Sequence, residues 1–329
     1  MSAQPRPKAS IIVLAYRHED CIRQALESVL AQKCAFPYEI IIGEDASPDR
    51  TRAICEEYAR RHPERVRLMP AAPNKGIVRN YFDCLLAARG EYIGDCAGDD
   101  SWGEPDRLQR QVDYLDSHPE AVAVISDWTI SEGGQLSHTA EKPEYQAIKR
   151  GLDGPEWLDY ILRNTERLPL LSAMLYRREP VAELLERRPE TVCRDEWGCE
   201  DFPLEAALSA IGRLGYTPGE ACNYTLAPGS ISQAADAGRR LAFYIKSLRC
   251  HIDLCGIYGK DIRDYADTIY RKVLYMCSLA LEAGDADLTA ELRGQIAAVS
   301  WVKDWKIRLY LAAISKSPLR RLIRRAKGL

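Results

Sequence analysis

Residues 38–51 read YEIIIGEDASPDRT and combine a strand pattern with the start of a helix. Its first six residues form a largely apolar run of strand length, a pattern typical of a strand buried on both faces. Ser47 and Pro48 predict a helix that continues to about Arg61, because serine is a favourable N-cap and proline fits the first helical turn. A buried strand that leads into a helix indicates a βαβ unit.

Strand and helix patterns alternate on either side of this stretch. The other predicted strands are 10–15, 66–68, 91–95 and 121–125, and the predicted helices between them cover about 22–30, 78–86 and 105–117. This order predicts an α/β fold with a doubly wound, mostly parallel sheet flanked by helices. From Asp236 onward the apolar spacing is helical. We therefore expect two domains, residues 1–232 with the sheet and residues 233–329 as a helical C-terminal extension.

The composition is that of a globular protein with a sizeable core. Of the 329 residues, 46% are hydrophobic and 28% are charged, and the net charge of −3 disfavours a general nucleic-acid-binding role. No run approaches the ~18 apolar residues of a membrane-spanning helix, and the apolar run after Lys8 is too short for a secretion signal. Eleven cysteines without CxxC pairs favour reduced thiols. These features together predict a cytoplasmic protein.

Acidic residues follow two of the predicted strands. Glu44 and Asp45 end the strand quoted above, and Asp99 and Asp100 follow the strand 91–95. A single carboxylate in such a place is usually a helix N-cap or a solvated loop residue. In open α/β sheets, however, ligands bind at the carboxyl ends of the strands, and two acidic clusters there repel each other unless a cation or a donor-rich ligand neutralises them. We therefore expect the functional site at this edge.

Four blocks in this part of the chain occur in a characteristic order. They read SIIVLAYR at 10–17, YEIIIGEDASPDRT at 38–51, NKGIVRN at 74–80 and GEYIGDCAGDDSW at 90–102. The segment from Lys8 to about Asp127 resembles a family 2 glycosyltransferase with the GT-A nucleotide-sugar-binding fold. In that family the first block often ends in Pro-Thr-Tyr-Asn, and the second has two Asp followed by Gly-Ser-Thr-Asp. The variant here is most similar to bacterial transferases that build surface polysaccharides.

The resemblance implies a set of donor-binding residues. Glu44 corresponds to the acid that reads the nucleobase, Tyr16 offers a ring that packs on the base, and Arg79 matches a diphosphate in geometry. A surface helix arginine is an equally acceptable interpretation of Arg79. Asp100 supports the metal motif or binds donor-sugar hydroxyls. The implied donor-binding set is Ala15, Tyr16, Glu44, Asp45, Arg79 and Asp100.

The metal motif departs from the family pattern. Asp99 occupies the second acidic position of Asp-x-Asp, but the first falls on Ala97, and the family's Arg and His fall on Thr225 and Ala227. We therefore expect a divalent cation, Mg²⁺ or Mn²⁺, that Asp99 holds only weakly and only together with the donor. The five histidines show no ligand spacing, and we expect all of them to be surface or structural residues.

A further stretch, CEDFPL at 199–204, followed by GRLGY and YTLAPGS, resembles the family's catalytic segment. The resemblance then extends to about Ser232. It implies that Asp201 is the general base and that Glu200 raises its proton affinity. The alternative is that this acidic pair caps the helix that begins at Pro203.

Two functions remain open from the sequence. The first is an inverting glycosyltransferase that moves a sugar from a nucleotide donor, UDP by preference, to a hydroxyl of a cell-surface glycan precursor. The second is a catalytically degenerate GT-A-fold binding or scaffold protein, which the altered metal motif favours. A nucleotidyltransferase lacks support, because no glycine-rich phosphate loop follows the first strand.

The C-terminal residues 316–329 carry six Lys or Arg residues and no acid. Trp301, Trp305 and Tyr310 precede them, and such rings suit a lipid headgroup region. We expect this tail to bind an anionic membrane, which would suit a lipid-linked glycan acceptor at the inner face of the plasma membrane. A solvated terminal helix, or one packed on a partner subunit, is the alternative.

Overall fold

The structure, a computed structural model, describes residues 6–71, 73–133, 135–165, 168–226, 236–302 and 304–315. The chain divides into two compact units. The first comprises Met1–Ile161, Glu166–Asp195 and Cys199–Leu226, and the second comprises Leu162–Thr165, Glu196–Gly198 and Ala227–Leu329. The expected boundary at residues 232 and 233 lies outside the described residues.

One mixed sheet organises the first unit. Its strands are β1 (Ala9–Ala15), β2 (Tyr38–Glu44), β3 (Val66–Leu68), β4 (Tyr92–Asp95), β5 (Ser101–Trp102), β6 (Ala121–Glu132), β7 (Gln135–His138), β8 (Met174–Arg177) and β9 (Arg213–Leu226). Their order is β3-β2-β1-β4-β8-β6-β9-β5, with β7 paired to β6. The strands β3, β2, β1 and β4 run parallel, and β6 and β9 are also parallel. The expected α/β class is confirmed.

The strand β8 lies antiparallel between β4 and β6. The sequence does not predict it, because residues 131–194 are rich in Glu, Arg and Pro and show few clear periods. The predicted strand 121–125 also continues further, to Glu132, where it pairs with β7 and β9. Both differences from the prediction lie in the part of the sheet that follows β4 in the strand order.

Helices cover both faces of the sheet. They are α1 (Ile22–Leu30), α2 (Thr51–Arg61), α3 (Ile77–Ala87), α4 (Arg107–Ser117), α5 (Gln146–Lys149), α6 (Gly154–Arg163), α7 (Arg178–Arg187) and α8 (Asp201–Ile211). Apolar residues of β1 and β2 pack with α1, α2 and α4 in one core. On the other face α3 approaches β2 so closely that a Cβ at Gly43 would lie 2.6 Å from Cys84 Sγ. This contact accounts for a glycine inside a buried strand.

One predicted helix start is wrong. The helix expected from Ser47 begins at Thr51, and Arg50 precedes it without a side-chain cap. The Ser47 hydroxyl instead accepts a hydrogen bond from the backbone N–H of Arg17, at 3.1 Å. Ser47 therefore belongs to the loop after β2, where it contacts the loop after β1.

The second unit is helical, as its apolar spacing predicts. Its helices are α9 (Ala237–Ile257), α10 (Ala266–Ala283), α11 (Ala286–Ala298) and α12 (Trp305–Ser315). The side chains of Asp236 and Asp285 cap α9 and α11 by accepting backbone N–H bonds. Leu241 and Ile245 of α9 belong to the same buried core as Ile269 and Val273 of α10. Across the described part of the chain, no helix combines the length and apolar character needed to cross a membrane.

Candidate active site

The loops after β1 and β2 are strained and interlocked. Among the described residues other than glycine, Arg17 (φ 60°) and Ala46 (φ 56°) have positive φ. The backbone N–H of Asp45 donates to the carbonyl of Ala15 at 3.0 Å, which joins the two loops alongside the bond between Arg17 and Ser47. Strain of this kind persists only where surrounding bonds hold it, and it concentrates at functional sites. Both strained residues lie at the edge that the sequence indicates.

Asp45 joins the end of β2 to the segment before α3. Its Oδ1 accepts the backbone N–H of Lys75 at 2.8 Å, and its Oδ2 accepts that of Gly76 at 2.9 Å. The Asn74 side-chain amide donates to the carbonyl of Asp45 at 2.8 Å. Gly76 has a φ of 83°, a conformation that favours glycine. The block at 74–80 therefore serves to fix the N-terminus of α3 at the same edge of the sheet.

The other predicted base-binding residues differ in exposure. The Glu44 side chain is only 1% exposed. Its Oε1 accepts the Ser47 N–H at 2.6 Å, and its Oε2 lies 3.7 Å from Arg52 Nη1. Tyr16, by contrast, is 42% exposed, and the Arg17 guanidinium lies 5.5 Å from its ring centroid. The exposed ring is thus the surface available for packing against a ligand.

Arg79 lies in the first turn of α3, and its Nε donates to Asp195 Oδ2 at 2.6 Å. This hydrogen bond raises the pKa of the guanidinium above its already high value. The side chain is exposed, so the pair with Asp195 is solvated and contributes little to stability. The structure therefore pairs Arg79 with Asp195 and not with the acids of the metal motif.

Asp99 and Asp100 occupy different environments. Asp100 is buried: its Oδ2 accepts from the Ser172 hydroxyl at 2.7 Å and its Oδ1 from the Thr225 N–H at 3.2 Å. Burial, together with the charge of Asp99, raises the pKa of Asp100 to about 7. Asp99 is half-buried and makes no hydrogen bond or ion pair with other described residues. Its carboxylate is thus the group of the pair that can bind a ligand.

His18 lies closer to this motif than the sequence suggests. A Cβ at Gly98 would lie 2.3 Å from His18 Nδ1, so glycine is needed next to the imidazole. Burial lowers the pKa of His18, although the carboxylates of Asp99 and Asp49 act in the opposite direction. The sequence predicts His18 to be a surface or structural residue, and the structure places it three residues after β1, at the carboxyl edge of the sheet.

The acidic pair Glu200 and Asp201 lies at the start of α8, which begins two residues before the predicted Pro203. Asp201 Oδ1 accepts the backbone N–H of Phe202 at 2.7 Å, whereas Glu200 makes no side-chain cap. Burial raises the pKa of Asp201. Burial also raises the pKa of Glu200, and the adjacent Asp201 carboxylate adds to that effect. Asp201 thus contacts the helix terminus, and its burial favours the protonated form of the carboxyl.

Tyr224 of β9 links the metal motif to this pair. Burial raises the pKa of its hydroxyl, and the carboxylates of Asp100, Asp99 and Asp201 raise it further, in that order. Two separate segments, one with Asp99 and Asp100 and one with Asp201, therefore bring negative charge close to one phenol group. The sequence includes Tyr224 only as the first residue of the block YTLAPGS, and it gives no signal for Ser172, which belongs to no motif or recognisable period.

This edge of the sheet offers few candidate ligands for a divalent cation. The described residues contain no cluster of three or more His, Cys, Asp or Glu side chains suited to a metal. They do offer the Asp99 carboxylate and the buried His18 Nδ1, which lacks a hydrogen-bond partner in the described structure. The residues present therefore fit a cation that takes most of its ligands from a diphosphate and water.

Comparisons with known proteins find relatives that match parts of this chain. The Rv1520 protein of Mycobacterium tuberculosis, described as uncharacterized, is 48% identical over 113 residues, or 34% of this chain and 33% of its own length. The succinoglycan biosynthesis protein ExoO of Rhizobium meliloti is 28% identical over 69% of this chain and 63% of its own length. The aligned part thus spans about a third of the mycobacterial relative and less than two thirds of ExoO.

Solved structures share the fold. The Staphylococcus aureus TarS 1–349 structure with UDP-GlcNAc has a TM-score of 0.57 at 16% identity, covering 93% of this chain and 91% of that one. The Pyrobaculum calidifontis mannosyltransferase PcManGT, solved with GDP-Man and Mn²⁺, has a TM-score of 0.51 at 18% identity over 97% and 87%. These neighbours identify the sheet as the GT-A fold. The family model for glycosyl transferase family 2 matches residues 10–184. This match covers more than half of the chain, which therefore belongs to glycosyl transferase family 2.

Proposed function

We propose that this chain transfers a sugar from a nucleoside diphosphate donor, UDP by preference, to a hydroxyl of a cell-surface glycan precursor, with inversion at the anomeric carbon. The observation that carries the proposal is the bond from the Thr225 N–H of β9 to Asp100 Oδ1, which joins the acids after β4 to the end of β9. Next to it, the carboxylates of Asp100, Asp99 and Asp201 add to the effect of burial on the pKa of Tyr224. The UDP-GlcNAc bound to TarS and the polysaccharide role in the name of ExoO support this donor and acceptor class.

Asp201 acts as the general base in this proposal. Its carboxylate takes the acceptor proton while the acceptor oxygen attacks the anomeric carbon from the face opposite the diphosphate, and this single displacement inverts the configuration. The raised pKa of Asp201 brings its proton affinity closer to neutral pH, where general-base catalysis is most effective. Burial and the adjacent Asp201 carboxylate raise the pKa of Glu200 to about 8, so Glu200 is the member of the pair that holds a proton near pH 7.

The donor lies along the ends of β1 and β2. Tyr16 packs its exposed ring on the base, and the backbone of Ala15 flanks it. Glu44 orders the loop after β2 by accepting the backbone N–H of Ser47. The lone pairs of its carboxylate that this hydrogen bond does not use accept a hydrogen bond from the nucleobase. Asp45 holds the segment before α3, from which Arg79 reaches the diphosphate by exchanging its solvated contact with Asp195.

A divalent cation, Mg²⁺ or Mn²⁺, would be held at Asp99 together with the donor diphosphate, and it would stabilise the negative charge of the leaving group. Asp100 supports Asp99 from its bonds to Ser172 and Thr225. Because the position of the first family acid is Ala97, cation binding depends on the donor.

The proposed partner of the second unit is an anionic membrane surface. Trp301, Trp305 and Leu309 recur every four residues and are 38%, 68% and 46% exposed. The basic run at 316–329 continues the sequence but lies outside the described residues. A lipid-linked acceptor at the inner face of the plasma membrane fits this attachment, and no nucleic-acid partner is proposed.

A binding protein without catalysis is the second candidate, because Ala97 supplies no ligand and Asp100 is bonded internally. A panel of nucleotide sugars separates the two. Donors that bind raise the melting temperature by mass action, and transfer or hydrolysis of the same donor marks an enzyme. A raised melting temperature without turnover, in the presence of Mn²⁺ and a range of acceptors, would favour the binding protein. No shift with any nucleotide would contradict both.

A further inference from the structure

The donor edge contains one imidazole that the family pattern does not assign. His18 follows β1 by three residues, and its backbone is fixed on both sides. Its N–H donates to Thr51 Oγ1 at 2.8 Å, and its carbonyl accepts the N–H groups of Cys21 and Ile22 at 3.1 and 2.9 Å. Together with the positive φ of Arg17, these bonds direct the side chain toward the metal motif.

The imidazole and Gly98 pack as a matched pair. A Cβ at Gly98 would lie 2.3 Å from His18 Nδ1 and 2.8 Å from the carbonyl of Leu14, so a side chain there displaces the ring. Gly98 directly precedes Asp99, and its own N–H is fixed by the Leu14 carbonyl at 2.9 Å. The imidazole is therefore held beside the residue that carries the free carboxylate.

Nδ1 of His18 is buried and has no hydrogen-bond partner in the described residues. A buried polar atom in this condition costs free energy, and in a functional region it indicates a ligand. Cys21 lies near Asp99 as well, but burial raises the pKa of its thiol to about 11, so it stays protonated.

We propose that His18 provides a nitrogen ligand, next to Asp99, to the divalent cation that accompanies the nucleotide donor. This inference rests on the proposed function, and it answers the loss of the ligand at Ala97. A nitrogen ligand favours Mn²⁺ over the harder Mg²⁺, so the site should prefer Mn²⁺.

Cation affinity is the direct test. Mn²⁺ is titrated into the full chain saturated with UDP, and free Mn²⁺ is followed by its electron paramagnetic resonance signal. His18→Ala should weaken Mn²⁺ binding at least about tenfold, since even residues that only orient a metal ligand typically contribute 10–100-fold. His62→Ala is the matched control and should bind as wild type. UDP affinity in chelator should be equal in all three proteins.

A spectroscopic measurement needs no variant. Electron spin echo modulation from ¹⁴N should appear in the wild-type Mn²⁺–UDP complex and change when the protein carries ¹⁵N-histidine. His18→Asp should remove the nitrogen modulation and strengthen Mg²⁺ binding relative to Mn²⁺, because Mg²⁺ prefers oxygen ligands. UDP binding with no nitrogen modulation, or with unchanged Mn²⁺ affinity in His18→Ala, would overturn this inference alone. Failure of UDP to bind the wild-type chain would overturn the proposed function as well.

Discussion

Ala46 shows at the scale of one residue how this chain departs from its family. It has a φ of 56°, and it stands where the family usually has glycine. A left-handed conformation costs a residue with a Cβ roughly 1–2 kcal/mol. The hydrogen bonds of the neighbouring Asp45 and Ser47 hold the loop in this conformation. The strain lies within the loop that shapes the donor edge.

Ala46→Gly should stabilise the protein by up to about 1 kcal/mol. The free energy gained by relieving the strain should exceed the free energy lost because glycine gives the unfolded chain more conformational entropy. Urea denaturation followed by circular dichroism measures the change. The control is Ala53→Gly in the exposed part of α2, where the same replacement should cost about 1 kcal/mol. Destabilisation by both replacements would mean that the loop is not strained.

Asp95 is a buried carboxyl, and the sequence predicts only that it ends the strand 91–95. It accepts from the Tyr81 hydroxyl at 3.1 Å, and burial raises its pKa to about 8 despite the charge of Arg107. An unfolded aspartate titrates near about 3.9, so between about pH 4 and pH 8 the folded protein binds more protons than the unfolded one. Stability should therefore fall as pH rises through this window.

Asp95→Asn should reduce this pH dependence, because an amide keeps an acceptor for Tyr81 and does not ionise. The variant should gain stability over wild type at pH 8 and differ little at pH 4.5. Urea midpoints at the two pH values provide the measurement, with Asp113→Asn on the exposed side of α4 as control. An unchanged slope in Asp95→Asn would assign the pH dependence to other groups.

At the scale of elements, the Asp45 carboxylate joins β2 to α3. Both of its oxygens accept backbone N–H groups, of Lys75 and Gly76, that no regular secondary structure satisfies. Hydrogen bonds to a charged group typically contribute about 1.5–3 kcal/mol each. The position of α3, and hence of Arg79, depends on this one side chain.

Asp45→Ala should therefore destabilise the protein by about 3 kcal/mol and weaken nucleotide binding. Asp45→Asn keeps one acceptor oxygen, so its stability and nucleotide affinity should lie between those of wild type and Asp45→Ala. Denaturant unfolding and UDP calorimetry measure the two effects. Asp83→Ala removes an exposed partner of Lys75 from the same region and should cost less than about 1 kcal/mol. Equal costs for Asp45→Ala and Asp83→Ala would contradict this role.

The elements that the sequence predicts well are those with long apolar runs or clear helical periods. The strands β1, β2 and β4 and the helix α1 occur where the patterns predict them. The short strand β8 could not be predicted, since its position between β4 and β6 is set by tertiary pairing. The same holds for the bonds of Asp100 to Ser172 and Thr225, which join residues far apart in the sequence.

At the scale of the whole molecule, the sheet unit carries the proposed chemistry and the helical unit carries the proposed membrane surface. Trp305 and Leu309 are exposed on α12, on which Ile307 and Ala313 are buried. The buried residues attach the helix to its own unit and leave an apolar pair for a lipid surface. The basic residues after Ser315 add attraction of ~1 kcal/mol per charge near an anionic surface.

Sedimentation with phosphatidylglycerol vesicles tests this surface. A chain that ends at Ser315 should bind at least about tenfold more weakly than the full chain, and the difference should shrink in high salt. Trp305→Ala with Leu309→Ala should also weaken binding, whereas Leu136→Ala, an exposed apolar residue of the sheet unit, should not. Equal binding of the full and shortened chains would argue for a solvated tail.

A comparison of three proteins tests whether Asp201 takes the acceptor proton at the proposed donor site. Once a donor and acceptor pair is known, turnover and donor affinity are measured for wild type, Asp201→Asn and the control Asp113→Asn. We predict that Asp201→Asn loses about 10²–10⁴-fold in turnover while its donor affinity stays within about twofold, because the base acts in the transition state. Near-normal turnover in Asp201→Asn would contradict the account.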